Sequence, residues 1–142
     1  MVKDIQELFV ILFFAGIAVF SIFYIYSQCT YHRIEKKFSD VVLSKIFNQY
    51  KSTPANKEFF GFLTVANEEV TDFEFVGLKD LKTEKVEVIN SNATKTNWTI
   101  HSHPSGLCFP SDKDRRSAHL CLEEFFCIVC GINRIECYGA DL

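Results

Sequence analysis

Residues 99–114 read Thr-Ile-His101-Ser-His103-Pro-Ser-Gly-Leu-Cys-Phe-Pro-Ser111-Asp-Lys-Asp114, and the reading of the whole chain turns on this stretch. Asn97–His103 is rich in β-branched and aromatic residues, which predicts a strand. Residues two apart on a strand point to the same side, so His101 and His103 present both imidazoles to one face while Trp98 and Ile100 turn into the core. Two imidazoles on one face are half of a zinc site. A catalytic zinc takes three nitrogen or oxygen ligands and keeps a position for water, so a third ligand must come from elsewhere, and Asp114 is the nearest candidate. Pro104, Gly106 and Pro110 let the chain reverse, and Ser111 followed three residues later by Asp114 resembles a capping box at a helix start. The first turn of that helix brings the carboxylate back over the histidines. Taken singly, each residue has a duller reading: two histidines on an alternating strand are commonly a surface feature, and Ser111 and Asp114 would be capping residues in most helices. Their joint order and spacing changes the balance.

Working outward, Phe59–Val65, Val70–Val76 and Lys85–Ile89 also read as strands, as do Phe125–Val129 and Arg134–Cys137 near the end. Asp72, Glu74 and Val76 alternate with Phe73 and Phe75, which predicts one wet and one packed face. The charged segment Ser111–Glu123 reads as a helix. Arg33–Tyr50 places Ile34, Phe38, Val41, Val42, Ile46 and Phe47 at the spacing of an amphipathic helix, closed by the turn Ser52-Thr-Pro-Ala-Asn. The order of elements is that of a single α+β domain.

The first part of the chain belongs to a different solvent. Leu8–Tyr26, LFVILFFAGIAVFSIFYIY, carries no charge and is long enough at about 1.5 Å per residue to come close to spanning a hydrocarbon layer. Lys3 precedes it, whereas Arg33, Lys36, Lys37 and Lys45 follow, which predicts a single-pass membrane protein with its domain on the cytoplasmic side. A cleaved secretory signal fits less well, because its apolar run is shorter and it ends on small residues; a buried core helix is the third reading. The expected division is an N-terminal flank at 1–7, a transmembrane helix at 8–27, a juxtamembrane linker at 28–34 and the domain at 35–142.

A length of 142 residues excludes a second full domain, and 15 basic against 18 acidic residues give no electrostatic footprint for nucleic acid, so none is expected as a partner. Six cysteines in a chain facing the cytoplasm predict free thiols. Cys127-Ile-Val-Cys130 has zinc-knuckle spacing with Cys121 and Cys137 nearby, yet residues three apart on a strand face opposite sides, which favours buried thiols. Cys29 lacks the small residue that precedes a lipoprotein cysteine. Asn92-Ala-Thr94 and Asn97-Trp-Thr99 match the glycosylation pattern, which carries meaning only in a secreted context.

The string His-x-His, seven residues, Ser, two residues, Asp resembles the signature of the JAMM metalloproteases, the catalytic MPN domain. Glu58-Phe-Phe-Gly61-Phe-Leu63 is similar to the upstream glutamate motif of that family; composition alone does not choose Glu58 over Glu68, Glu69 or Glu74. The resemblance covers roughly residues 35–142, including the late Ile-Val-Cys-Gly and Ile-Glu-Cys-Tyr strands. It implies an MPN/JAMM-like (cytidine-deaminase-like) mixed sheet flanked by helices, with His101, His103 and Asp114 binding Zn²⁺. It further implies that Glu58 holds the attacking water and removes its proton, and that Ser111 donates a hydrogen bond to the oxyanion. The implied reaction is hydrolysis of the bond between the C-terminus of ubiquitin or a ubiquitin-like modifier and its target, with such conjugates as partners. The domain has no counterpart of the insertions that read ubiquitin chains, and so looks like the compact prokaryotic or archaeal members. Two other readings stand beside this one: an inactive MPN-like scaffold that binds a protein, and a RadC-like nucleic-acid-associated protein, suggested by His-Ser-His-Pro-Ser-Gly but disfavoured by the charge balance. Thr99 and Asn97 share the histidine face and are candidates to orient the imidazoles through their other nitrogens, and Cys108 lies at the entrance to the site.

Overall fold

The computed structural model describes residues 2–28, 31–120 and 122–140; Cys29 and Cys121 lie outside them. The chain forms two units, 1–30 and 31–142. The first is a single helix, α1 (Val2–Gln28), which contains the whole uncharged run. Its Asp4–Ile22 stretch has a mean hydropathy of 2.3 and buries none of its residues within the chain, so it is long and apolar enough to cross a membrane.

The second unit runs β1 (Tyr31–Ile34), β2 (Lys37–Phe38), α2 (Asp40–Ser52), β3 (Lys57–Ala66), β4 (Glu69–Asp80), β5 (Val86–Val88), β6 (Trp98–Ser102), α3 (Asp112–Leu120), β7 (Phe125–Gly131) and β8 (Arg134–Ala140). Among the described residues these strands form one mixed sheet in the order β1-β8-β7-β6-β3-β4-β2, with β5 also paired to β4. The β6–β7 and β2–β4 pairs are parallel and the rest antiparallel. A parallel pair needs a crossover rather than a hairpin, and α3 supplies it between β6 and β7.

The interior is organised by β7, whose residues Phe125–Cys130 are all buried, as expected of a central strand covered on both faces. Phe125, Cys127 and Val129 join Val42 and Ile46 of α2 with Phe59, Leu63 and Ile100 in one core. Phe126, Ile128 and Cys130 join Ala118 of α3 with Tyr31, Cys108 and Tyr138 in a second. The period of two along this strand therefore sorts its residues between two helices.

Four expectations need correction. Tyr31–Ile34 is not linker but a strand, paired with β8 from Tyr31↔Ala140 to Ile34↔Cys137, so the domain begins before residue 35. The helix expected from Arg33 starts at Asp40, where Ser39 caps it by accepting the Val42 N–H at 3.3 Å. Ile34 and Phe38 do pack on the same core as Val42 and Ile46, but from strands, and Val41 is 74% exposed. Tertiary pairing overrode a helical spacing that was real only from Ser39 onward. The alternation expected of β4 breaks at a bulge: Phe60 faces Gly77 and Gly61 faces Phe75, leaving Val76 as the extra residue, buried rather than wet. Finally, the four cysteines among the described residues are not free thiols. Cys127 is disulfide-bonded to Cys137, its cross-strand neighbour, and Cys130 to Cys108, so the two cysteines that face opposite sides of β7 each find a sulfur on their own side.

Beside the bulge, Gly61 lies so close to β4 that a β-carbon there would collide with the Glu74 carbonyl oxygen and stand 2.6 Å from Phe73 Cε2. Gly61→Ala is expected to destabilise the domain by about 1–3 kcal/mol, read as a lower urea midpoint with little change in slope.

Candidate metal centre

Strand β6 has neighbours on both edges, antiparallel β3 and parallel β7, and its buried residues Ile100 and Ser102 fix which way it faces. His101 therefore turns to the other face, and His103, just past the strand end, follows it because its N–H still donates to the Val129 carbonyl at 2.9 Å. The two Nε2 atoms stand 3.1 Å apart. Asp114 Oδ2, from the first turn of α3, lies 3.4 Å from His101 Nε2 and 3.3 Å from His103 Nε2.

These three separations test whether an ion fits. Around a tetrahedral centre with bonds of about 2.0–2.1 Å, neighbouring donors stand about 3.3–3.4 Å apart, so this triangle has the size of one face of such a polyhedron. Two imidazoles and a carboxylate are also a known ligand set for a divalent metal with an open position. The three side chains are 12–21% exposed, so the site reaches solvent at its mouth.

The electrostatics agree. For Asp114, burial opposes ionisation, but hydrogen bonds from His101 and His103, the charge of His101 and the Ser111 N–H outweigh it and hold the carboxyl well below the usual range. For His103, burial opposes the charged form; its contacts with Asp114 and the Leu107 carbonyl, and the charges of Asp114 and Glu58, overcome that and raise its pKa.

Each donor is held by something else. Ser111 Oγ accepts the Asp114 N–H at 3.0 Å while Asp114 Oδ2 accepts the Ser111 N–H at 2.9 Å, the reciprocal pair of a capping box. The serine hydroxyl keeps its own proton for a donor role, and the residue is exposed. His103 Nδ1 is 2.8 Å from the Leu107 carbonyl. A carbonyl only accepts, so that nitrogen carries the proton and Nε2 presents its lone pair. The turn His103-Pro-Ser-Gly106 makes this contact possible: Gly106 donates to the His103 carbonyl at 3.1 Å and takes φ of +81°, a conformation open to glycine. His101 stacks on Phe126 with ring centroids 6.1 Å apart.

Glu58 enters from β3. Phe60 pairs with His101 and Gly61 with Ile100, and the same register carried two residues further sets Glu58 opposite His103. There the backbone ladder has ended, and the Phe59 N–H is taken up at 2.9 Å by the hydroxyl of Ser102, a buried polar side chain. Phe59 is fully buried in the α2-side core, which turns Glu58 to the imidazole side. His101, His103 and Asp114 thus stand within mutual contact distance, Ser111 is bonded to Asp114, and Glu58 is near enough for its charge to act on His103.

For His103 the orienting group is the main-chain carbonyl of Leu107 and not the side chain of Thr99 or Asn97. Nearby, burial pushes the Glu123 carboxyl up, an effect that Thr99, His101 and Lys95 only partly offset. A main-chain carbonyl leaves no trace in residue type, which is why Leu107 could not be read in advance; the Pro-Ser-Gly turn was the available signal.

No protein-family model and no curated protein matches the chain. Among solved structures, a crystal structure of a JAB1/MPN domain protein from Archaeoglobus fulgidus is similar to it, with 26% identity and a TM-score of 0.52 over 75% of this chain and 89% of that one. The α+β fold is therefore MPN-like, with a His-His-Asp arrangement able to hold a metal.

The paired shifts fix a pH signature for the metal-free chain. The depressed Asp114 adds stability that is present above its ordinary 3.8 and lost as pH falls. The raised His103 adds stability that is present below its ordinary 6.5 and lost as pH climbs through its folded value. In detergent without metal, Tm should fall as pH rises above the ordinary 6.5, while the rise in Tm on adding zinc grows over the same interval, because an ion needs neutral imidazoles. A metal-induced rise that shrinks with pH would contradict this coupling.

Proposed function

We propose that this chain is a membrane-anchored, zinc-dependent isopeptidase of the JAMM type, which hydrolyses the bond between the C-terminus of ubiquitin or a ubiquitin-like modifier and an amine of its target. The single observation that carries the reading is the triangle of His101, His103 and Asp114 donors, 3.1–3.4 Å on a side, with Glu58 beside it. The likeness to a JAB1/MPN domain protein supports it. Two nitrogens and one carboxylate oxygen suit zinc better than magnesium or calcium, which prefer oxygen-only shells. Helix α1 is read as the anchor on its length and apolarity.

When bound, the ion polarises the scissile carbonyl and makes water more acidic. His101, His103 and Asp114 would hold it, and the Leu107 carbonyl keeps His103 in the tautomer that offers Nε2. Glu58 takes a proton from the attacking water as its oxygen bonds to the carbonyl carbon. Ser111 donates its hydroxyl proton in a hydrogen bond to the oxygen on which negative charge develops. As the carbon–nitrogen bond breaks, Glu58 returns the proton to the departing amine, leaving a free modifier carboxylate and a free lysine.

Cleavage of a modifier–lysine conjugate by the full-length protein tests this. Glu58→Gln is expected to lower kcat by about 10²–10⁴-fold while zinc content stays near one per chain. Conjugate binding without cleavage by the zinc-loaded wild type would instead establish a scaffold.

A further inference from the structure

The chain between His103 and Asp114 carries an unusual contrast. Leu107 and Phe109 are 63% and 76% exposed, whereas Cys108 between them is 6% exposed. Cys108 is tied inward twice: its sulfur is bonded to Cys130 on β7, and its carbonyl accepts the Tyr138 hydroxyl of β8 at 2.6 Å. The loop's other hydrogen bonds, Gly106 N–H to the His103 carbonyl and Leu107 N–H to Ser105 Oγ, are local and would move with it. The residue next to Cys108 is Leu107, whose carbonyl fixes His103 at 2.8 Å. Tyr138 in turn stacks on Phe126, the ring beneath His101.

We infer that the Cys108–Cys130 disulfide and Tyr138 are positioning groups for the metal centre, holding the Leu107 carbonyl against His103 so that the site's affinity for its ion follows the redox state of this cysteine pair. The inference rests on the metal-centre reading above. Its mechanism is entropic: with the bridge closed, the loop keeps its acceptor on His103 Nδ1; with the bridge open, a turn with two outward apolar side chains keeps the Tyr138 hydrogen bond and the packing of Cys108 and Pro110 as its holds. The side chains of the Cys127–Cys137 bridge lie in the core on the other face of β7, which makes this bridge an internal control.

Opening the bridge needs a reductant. A phosphine attacks one sulfur and displaces the other as a thiolate; water then hydrolyses the phosphonium adduct, giving phosphine oxide and two thiols after protonation, a two-electron reduction. A cellular dithiol reaches the same products through a mixed disulfide and ends as its own disulfide.

The test uses the full-length chain in detergent, with zinc affinity measured by competition against a chromophoric chelator and cobalt(II) absorption reporting ligand geometry. Cys108→Ser with Cys130→Ser is expected to weaken zinc binding by about 10–100-fold and to alter the cobalt spectrum, the range seen when groups orienting metal ligands are removed. Cys127→Ser with Cys137→Ser should melt lower yet bind zinc within about twofold of wild type, and phosphine added to that variant should reproduce the loss. Tyr138→Phe, which keeps ring and bridge, should weaken zinc by a smaller factor and move the spectrum the same way. If the Cys108/Cys130 variant folds poorly, Tyr138→Phe and the phosphine titration decide. Unchanged zinc affinity and cobalt spectrum in those arms would overturn the inference while leaving the metal centre standing; a wild type that binds neither zinc nor cobalt would overturn the metal centre itself.

Discussion

Two imidazole nitrogens 3.1 Å apart are tolerable only where something holds both rings in place, and here that something is the pairing of β6 on both edges. Ile100 and Ser102 are locked into the core, so the period of two leaves His101 and His103 nowhere to point but the α3 side. The β6–α3–β7 crossover then returns the chain across that face, and its first helical turn delivers Asp114. Neighbouring strands complete the setting: β3 carries Glu58 in register, and β7 and β8 supply Phe126 and Tyr138 beneath the rings. A sheet this constrained fixes where the three side chains can reach, whatever they hold.

Much of this was legible in the sequence where a residue's own chemistry announced its place. Runs of β-branched and aromatic residues marked β3 to β8, and Ser111 with Asp114 gave both the start of α3 and the third candidate ligand. What escaped was whatever depended on partners distant in sequence. The short strands β1 and β2 exist because β8 and β4 offer edges, and nothing within residues 31–38 distinguishes them from the start of a helix. The Val76 bulge is likewise a property of the β3–β4 pair, and the Leu107 carbonyl could not show in a side chain at all.

The cysteines illustrate the same limit from another side. Alternation along β7 does put Cys127 and Cys130 on opposite faces, but the charge asymmetry around α1, from which free thiols are expected, concerns translocation and not sulfur chemistry. Geometry pairs each cysteine with a neighbour on its own face of β7. All four are 6% exposed or less, so a thiol reductant meets them only when the sheet or loop opens. Burial of this kind lets bridges outlast a reducing environment for as long as the surrounding fold stays closed.

The reciprocal bonding of Ser111 and Asp114 has a bearing on how relatives of this fold are read. The carboxylate serves the backbone of α3 whether or not a cation is near, so a sound helix start calls for it even in a relative that holds no metal. Its presence alone is therefore poor proof of a metal site. The histidines cap no helix, and are the residues to look at first when such a relative is compared.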